Sequence, residues 1–192
     1  MEKLTGLKKL KTAIFISGTG SNLKNLIKFS KIKKTPISIN LVVSNVRNAR
    51  GLKYADLFNI KKKIINFKSA ASAEKKVLIL LKKEKISFIC MAGFMKILSI
   101  SFIKNFDGKI INIHPSLLPK YKGLNTHRRA IENKDKFAGC TVHYVSEKVD
   151  SGMVVMQKKI RITAKDNFSS LAKKVLKQEH KLYPAAILKI LS

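Results

Sequence analysis

A short stretch near the middle of the chain carries the residue types best suited to chemistry. Residues 109–123 begin as an apolar β-type run that two polar residues, Asn112 and His114, interrupt. Because side chains alternate faces along a strand, these two point the same way. The run stops at Pro115, so an amide donor and an imidazole lie side by side where a strand ends. Open α/β sheets bind ligands at such ends, although a capped strand end with two satisfied polar groups would show the same pattern.

A glycine turn near the start of the chain is a second candidate site. An apolar strand over residues 12–17 leads into Gly18-Thr19-Gly20-Ser21-Asn22, and residues 23–29 have helical spacing. Backbone N–H groups of such a turn and of the helix N-terminus can hold a phosphate. The turn is neither a Walker motif nor a full GxGxxG pattern, because Leu23 occupies the third glycine position. Tight turns need glycine in any case, so the turn alone is weak support for a phosphate site.

The elements that must position these residues alternate between strands and helices. After the first strand and helix we predict strands over residues 37–43, 63–67, 86–91 and 110–113, with helices over residues 50–58 and 73–84. This alternation predicts an α/β fold with a doubly wound, mostly parallel sheet and helices on both faces.

In the last third of the chain the alternation of strands and helices is replaced by two consecutive strands. We predict a short helix over residues 127–132, two strands over residues 140–145 and 153–157, and a helix over residues 165–181. The two strands are joined by a turn, which favours antiparallel pairing. Asp166 or Asn167 is the expected cap of the helix. We expect Tyr183-Pro184 to break that helix before a final short one.

Length and composition limit the number of domains, the role of the cysteines and the possibility of membrane segments. With 192 residues, 45% of them hydrophobic, the chain fits one domain over residues 1–192, with residues 1–11 as a flexible basic extension. Cys90 and Cys140 both lie in apolar runs, so we expect buried thiols rather than a disulfide framework, and no zinc spacing is present. The N-terminus has no apolar segment, and no run approaches the roughly 20 residues of a membrane span. We therefore predict a cytoplasmic protein without a membrane partner.

The formal net charge of +29 suggests a nucleic-acid binder. Only five of the 40 basic residues are arginine, however, and the lysines are spread along the whole chain. The aromatic residues of a base-stacking platform do not accompany them. We favour a compositional bias toward lysine on solvated faces. We expect no specific nucleic-acid partner, although the positive field would draw in anionic substrates.

Four segments together resemble the folate-dependent formyltransferases. They are Ser17-Gly18-Thr19-Gly20-Ser21-Asn22-Leu23, Ala92-Gly93-Phe94-Met95-Lys96-Ile97-Leu98, Asn112-Ile113-His114-Pro115-Ser116-Leu117-Leu118-Pro119 and Gln178-Glu179-His180. The resemblance covers residues 12–184. The third segment, followed 36 residues after its histidine (150 − 114) by Asp150, is typical of the class. The first and fourth narrow it to the phosphoribosylglycinamide formyltransferases.

The resemblance implies transfer of a formyl group from 10-formyltetrahydrofolate, as a co-substrate, to the amine of 5-phosphoribosylglycinamide in purine biosynthesis. It implies no tightly bound cofactor, metal or covalent intermediate. Charge builds on the formyl oxygen, and Asn112 and His114 would supply donors to it. Asp150 would favour the charged imidazole, raise the pKa of His114 and hold a water for proton transfer. The alternative for Asp150 is a turn aspartate before Gly152.

The same resemblance implies the binding residues. Those for the ribonucleotide are Gly20, Ser21 and Asn22 at the phosphate and Glu179 at the ribose hydroxyls, and those for the folate are Met95, Lys96, Ile97, Leu98 and Asn112. Two positions depart from the family pattern. Asn125 stands where a histidine is common, and Ala70 stands where some relatives have an arginine that contacts the folate. The partners expected are the two small-molecule substrates, for a monomer or homodimer.

Three alternatives remain open at this point. Formyltetrahydrofolate deformylases share the Asn-His-Asp set, but they usually have an extra N-terminal domain, whereas about ten residues precede the first strand here. Methionyl-tRNA formyltransferase would make use of the basic charge, but it needs a C-terminal tRNA-binding domain that we expect this chain to lack. A non-enzymatic nucleic-acid binder would explain the charge but not the Asn-His-Asp set.

Overall fold

A computed structural model describes residues 9–191 of the chain. The strands are β1 (Leu10–Ile16), β2 (Ile37–Ser44), β3 (Lys61–Ile64), β4 (Phe88–Met91), β5 (Lys109–His114), β6 (Phe137–Tyr144) and β7 (Val154–Arg161). The helices are α1 (Ser21–Ser30), α2 (Leu52–Leu57), α3 (Ala70–Lys83), α4 (Ile100–Asn105), α5 (Thr126–Glu132) and α6 (Phe168–Leu191).

These strands form one seven-stranded mixed sheet in the order β3-β2-β1-β4-β5-β6-β7. Strand β1 pairs in parallel with β2 and β4, and β2 pairs in parallel with β3. Strand β6 is antiparallel to both β5 and β7. The predicted fold class, a mostly parallel α/β sheet with antiparallel strands in the C-terminal third, is confirmed.

The described residues fall into two compact units. Unit 1 comprises residues 9–96, 106–109 and 191, and unit 2 comprises residues 97–105 and 110–190. A single domain over residues 1–192 stays a prediction. Most of the predicted basic extension lies outside the described residues, but Leu10 and Lys11, which we assigned to it, belong to β1.

The core of unit 1 is built on β1, whose residues 12–16 are fully buried, as expected for a strand inside a parallel sheet. Helix α1 buries Leu23, Leu26 and Ile27. Strand β3 differs from the prediction, because it begins at Lys61 and ends at Ile64 with all four side chains exposed. An edge strand needs no apolar pattern, and lysines there discourage pairing with another chain.

The C-terminal stretch of unit 2 forms one helix, α6, where we predicted two helices separated at Tyr183-Pro184. Helix α6 continues through Pro184 to Leu191, so the expected break is wrong. Buried residues lie on both sides of the proline, and this packing holds the helix together despite the lost backbone donor. They are Leu171, Val175, Glu179, Leu182, Tyr183, Ala186 and Ile187. The Asn167 cap is confirmed, since its Oδ1 accepts from the backbone N–H groups of Ser169 (3.0 Å) and Ser170 (2.9 Å).

Three further findings concern the sequence-based expectations. Cys90 and Cys140 are free thiols and are buried, as predicted. Helix α4 was not predicted, although Ser99 provides a cap signal: its Oγ accepts from the Phe102 N–H at 3.0 Å. Within the part of the chain that is described, none of the helices is both long and apolar enough to cross a bilayer.

Candidate active site

Two neighbouring strands of unit 2 bring the polar residues together. In the antiparallel register of β5 and β6, Asn112 lies opposite His143 and His114 lies opposite Thr141. Asn112 is partly buried, whereas His114 and His143 are 5% and 2% exposed. The alternation that we read from the sequence therefore places both β5 side chains on one face, as predicted.

Asp150 reaches these residues from the loop between β6 and β7. Its Oδ2 lies 3.2 Å from Nδ1 of His114 and accepts a hydrogen bond from the Gly123 N–H at 2.8 Å. Its Oδ1 lies 3.6 Å from Nε2 of His143. The carboxylate thus bridges two imidazoles, and the predicted Asn112, His114 and Asp150 lie in one cluster.

The loop that carries Asp150 is held in an unusual backbone conformation. Asp150 has a φ of 47°, a left-handed value that aspartate tolerates better than most residues. At Gly152 a Cβ would lie 1.7 Å from the Tyr144 carbonyl oxygen, so only glycine allows the loop to pass this close to β6. Asp150 is therefore a turn residue as well as a member of the cluster, and its catalytic role stays a prediction.

The environment of His114 contains opposing effects. Burial lowers its pKa below the ordinary 6.5, while a hydrogen bond with the Tyr121 carbonyl and the charge of Asp150 act to raise it. Nε2 donates to the Tyr121 oxygen at 2.9 Å, and Nδ1 faces Asp150, so both ring nitrogens face acceptors. The expectation that Asp150 raises the pKa of His114 gives the correct sign for that interaction. Burial outweighs it, and the net direction is downward.

For the pKa of the Asp150 carboxyl group, hydrogen bonds and a neighbouring charge outweigh the effect of burial. Burial by itself raises the pKa of this carboxyl group, but hydrogen bonds from His143 and the Gly123 N–H, together with the charge of His114, hold it below the ordinary 3.8. Asp150 is therefore ionised at neutral pH. Burial, followed by the charge of His114, also lowers the pKa of the nearby His127 on α5.

His143 is the member of the cluster that sequence reasoning missed. Its Nδ1–H donates to the Tyr144 carbonyl oxygen at 2.8 Å, and Nε2 lies 3.3 Å from Nδ2 of Asn112. When neutral, Nε2 can accept from that amide, and when protonated it can donate to Asp150. A signal was available, because a histidine inside an apolar strand beside the Asn-His strand invites pairing with it.

The glycine turn has the geometry that a backbone site needs. Gly20 caps α1 with a φ of 73°, and a Cβ there would lie 2.5 Å from Cα of Gly51. No other residue fits this turn. Ser21 is partly buried at the first position of α1, and Asn22 is buried. Because the approach of Gly51 already requires glycine at position 20, the glycine by itself does not distinguish a phosphate site from a packed turn.

The segment predicted to line the folate pocket is mixed in exposure. Met95, Lys96 and Ile97 are exposed, while Leu98 is buried at 4% exposure. In unit 1 the Met95 N–H donates to Oγ of Ser17 at 2.7 Å, which fixes the start of the segment. In unit 2 Glu179 is buried on α6.

Of the two departures from the family pattern, Asn125 has a local explanation and Ala70 has none. Asn125 has a φ of 58° at the N-terminus of α5, a conformation that asparagine adopts readily. Ala70 is exposed at the first position of α3 and brings no charge there. Within the described residues, no group of three or more His, Cys, Asp or Glu side chains is placed to hold a metal ion.

Comparison with known proteins gives a consistent result. The family model described as "Formyl transferase" matches residues 10–187. Phosphoribosylglycinamide formyltransferase of Haemophilus influenzae is 40% identical over 180 residues, which cover 92% of this chain and 85% of that protein. The trifunctional purine biosynthetic protein adenosine-3 of Homo sapiens is 39% identical over 183 residues, 94% of this chain but only 18% of that protein.

Comparison with solved structures gives the same family as the sequence comparisons. The crystal structure of phosphoribosylglycinamide formyltransferase from Brucella melitensis superposes with a TM-score of 0.91 at 40% identity, covering 96% of this chain and 97% of that one. The chain therefore spans 18% of the human trifunctional protein, 85% of the Haemophilus influenzae enzyme and 97% of the Brucella melitensis one.

Proposed function

Because the chain belongs to the formyl transferase family, we propose that it transfers the formyl group of 10-formyltetrahydrofolate to the amine of 5-phosphoribosylglycinamide in purine biosynthesis. The observation that carries this proposal is the cluster of Asn112, His114 and Asp150, within hydrogen-bonding reach of one another or of His143. The phosphoribosylglycinamide formyltransferases among its relatives support the same substrates.

The transfer needs donors at the formyl oxygen. The amine nitrogen attacks the formyl carbon, a C–N bond forms, and the carbonyl π electrons move onto the oxygen. Nδ2 of Asn112 carries two hydrogens, and one of them can point at His143 while the other is directed at that oxygen. His114, when its imidazole is protonated, adds positive charge that favours this negative oxygen, while its two N–H groups stay directed at the Tyr121 carbonyl and at Asp150. Donors that are already in position cost no reorganisation as the charge develops.

Collapse of the intermediate requires a proton to move. The attacking nitrogen loses a proton, the bond between the formyl carbon and the folate nitrogen breaks, and that nitrogen regains a proton. Asp150 is ionised at neutral pH and bridges two imidazoles, so it is placed to hold a water that carries the proton.

His143 acts as a positioning residue in this mechanism. Its Nδ1–H is fixed by the Tyr144 carbonyl, so Nε2 is the nitrogen that faces Asn112 and Asp150. This nitrogen can orient the amide by accepting a hydrogen bond or the carboxylate by donating one, according to whether it carries a proton. The register that pairs Asn112 with His143 holds this arrangement without help from a flexible loop.

The remaining assignments belong to the same proposal. In unit 1 the backbone of Gly20, Ser21 and Asn22 at the start of α1 would bind the ribonucleotide phosphate. Glu179 would bind the ribose hydroxyls, and residues 95–98 with Asn112 would bind the folate co-substrate. No tightly bound cofactor, a cytoplasmic location and a monomeric or dimeric state remain predictions.

The direct test is a formyl-transfer assay. Purified protein is incubated with 10-formyltetrahydrofolate, with and without 5-phosphoribosylglycinamide, and both the formylated ribonucleotide and free formate are measured. We expect the formylated product to form, with little formate released in the absence of the amine. Formate release at one rate, whether the amine is present or not, would contradict the proposal and favour a deformylase.

A further inference from the structure

Unit 1 contains an open surface cavity that shares no residue with the cluster of Asn112, His114 and Asp150. Its volume is about 510 Å³, within the range of small-molecule sites, and it is lined by Asn45, Arg47, Ile64 and Asn66. These residues follow or end strands β2 and β3, so the cavity lies at the carboxyl ends of two parallel strands. That edge is where α/β sheets bind ligands.

The backbone around the cavity is fixed by hydrogen bonds. The Ile65 N–H donates to the Ser44 carbonyl oxygen at 2.9 Å, which extends the pairing of β2 and β3 up to the cavity. Oγ of Ser44 accepts from the Val46 N–H at 3.1 Å and donates to the Val46 carbonyl at 2.9 Å. Both walls are therefore preformed, and a ligand would not have to order them.

The two amides are turned so that their donors remain available. Oδ1 of Asn66 accepts from the Lys68 backbone N–H at 2.9 Å, and because that group can only donate, the amide orientation is determined. Oδ1 of Asn45 accepts from Oγ of Ser17 at 2.5 Å. Each acceptor oxygen is thus satisfied by unit 1 itself, and each NH₂ group is left to bind something else.

Arg47 completes a lining that can only donate. Its guanidinium has no hydrogen-bond or ion-pair partner among residues 9–191, and no acidic residue lines the cavity. A guanidinium fork beside two amide donors matches the paired oxygens of a carboxylate or phosphate. Ile64, which is 40% exposed, adds an apolar wall suited to methylene groups.

We propose that this cavity binds an oxyanion, a carboxylate or phosphate group, with Arg47 as its cation and the Asn45 and Asn66 amides as further donors. The apolar wall favours an organic acid on a short aliphatic chain over inorganic phosphate. The net charge of +29 raises the local concentration of any such anion.

Two sources could supply this chemistry. One is a free dicarboxylic acid. The other, which rests on the proposed function, is the glutamate portion of the folate co-substrate. A chain of hydrogen bonds within unit 1 runs from the Met95 N–H through Oγ of Ser17 to Oδ1 of Asn45, which connects the cavity wall to the segment assigned to folate.

The probes are glutarate and inorganic phosphate, titrated while the side-chain N–H signals of Asn45, Asn66 and Arg47 are followed by NMR. We expect all three to move on one saturable curve, with glutarate binding more tightly than phosphate. Arg47→Ala should weaken glutarate binding by at least about tenfold, since a charged hydrogen-bonding partner is lost. The matched control is Arg50→Ala, which removes an exposed arginine that does not line the cavity.

The possible results of this titration distinguish binding from no binding, and one source of the ligand from the other. Unmoved signals at saturating glutarate, or equal binding by the wild type and Arg47→Ala, would overturn the proposal. Competition with folic acid and with pteroic acid, which lacks the glutamate, then identifies the source. Displacement by folic acid alone assigns the site to the co-substrate, whereas displacement by neither assigns it to a separate acid. Because glutarate binding is measured without any formyl transfer, failure here leaves the proposed function standing.

Discussion

Replacing Asp150 by asparagine tests the centre of the proposed mechanism. The substitution removes one negative charge and keeps the shape of the side chain. Its Oδ1 can still accept from the Gly123 N–H, which lies 2.8 Å from Asp150 in the wild type. The new NH₂ group would face ring nitrogens and favour their neutral forms. Both changes act in the same direction on His114, and its pKa should fall.

The expected magnitude follows from the geometry. The carboxylate oxygen lies 3.2 Å from Nδ1 of His114. Two unit charges at this separation interact by about 5 kcal/mol at an effective dielectric constant of 20, which is the upper limit for the stabilisation of the imidazolium that the substitution removes. Since burial already lowers the pKa of His114, the charged imidazole would become rare at neutral pH. Loss of a general acid or oxyanion donor typically lowers kcat by about a hundredfold or more.

The assay combines an NMR titration of His114 with steady-state kinetics. We expect a lower His114 pKa in Asp150→Asn, a large fall in kcat, and little change in KM for either substrate. Glu147→Gln is the matched control, because it removes a charge from the same loop but from an exposed side chain that pairs with Lys104 at the surface, at 3.3 Å. An unchanged His114 pKa with kcat intact would refute the reasoning and leave Asp150 as a turn residue. A double mutant with His114→Ala should lose far less than the product of the single losses, since the two residues act as a unit.

Three other predictions follow from the structure. His143→Ala should lower kcat by between about tenfold and a hundredfold with KM unchanged. His143→Gln should retain part of the kcat that His143→Ala loses, because an amide can still orient Asn112. An equal loss of kcat in both variants would argue against a positioning role. Urea unfolding should show that the free energy of unfolding falls as the pH drops through about 6.5, because imidazoles with lowered pKa values bind protons in the unfolded chain but not in the folded one. It should fall again below about 4 as Asp150 is protonated. A constant free energy of unfolding from pH 8 to 5 would contradict this. The imidazoles concerned are His114, His127 and His180. Cys90 and Cys140 should resist a thiol reagent until the protein unfolds, since both are buried and burial raises the pKa of Cys140 to about 12.

The parallel part of the sheet was predictable because its strands are buried on both faces. Continuous apolar runs such as β1 and β4 leave little choice of element, and the structure agrees with the sequence there. Strand β3 was misplaced for the opposite reason. Three of its four residues are lysines, and an edge strand takes its pairing from β2 rather than from a pattern of its own.

The errors in the helices have a different origin. A proline in a helical pattern usually ends the helix, but that rule describes a local cost of about 3 kcal/mol or more. In α6 the buried side chains before and after Pro184 offset it, and such tertiary packing is invisible to a local rule. Helix α4 has only six residues, too few to show a period.

The site itself was partly predictable. Asn112 and His114 share a strand, so two-residue alternation was enough to place them together. Asp150 came only from the resemblance, because its position depends on a left-handed turn and on the approach of Gly152 to Tyr144. His143 was missed because its importance depends on the register between two strands, which no single stretch of sequence contains.

The register of β5 and β6 decides which side chains meet at this site. Their antiparallel pairing places Asn112 opposite His143 through backbone hydrogen bonds. A slip of one residue would turn His143 to the other face, and a residue of the opposite face would stand beside Asn112. The short return from β6 to β7 then needs only one left-handed residue to bring the Asp150 carboxylate between the two imidazoles. Strand pairing therefore positions Asn112, His114 and His143, and the loop both carries and positions the Asp150 carboxylate.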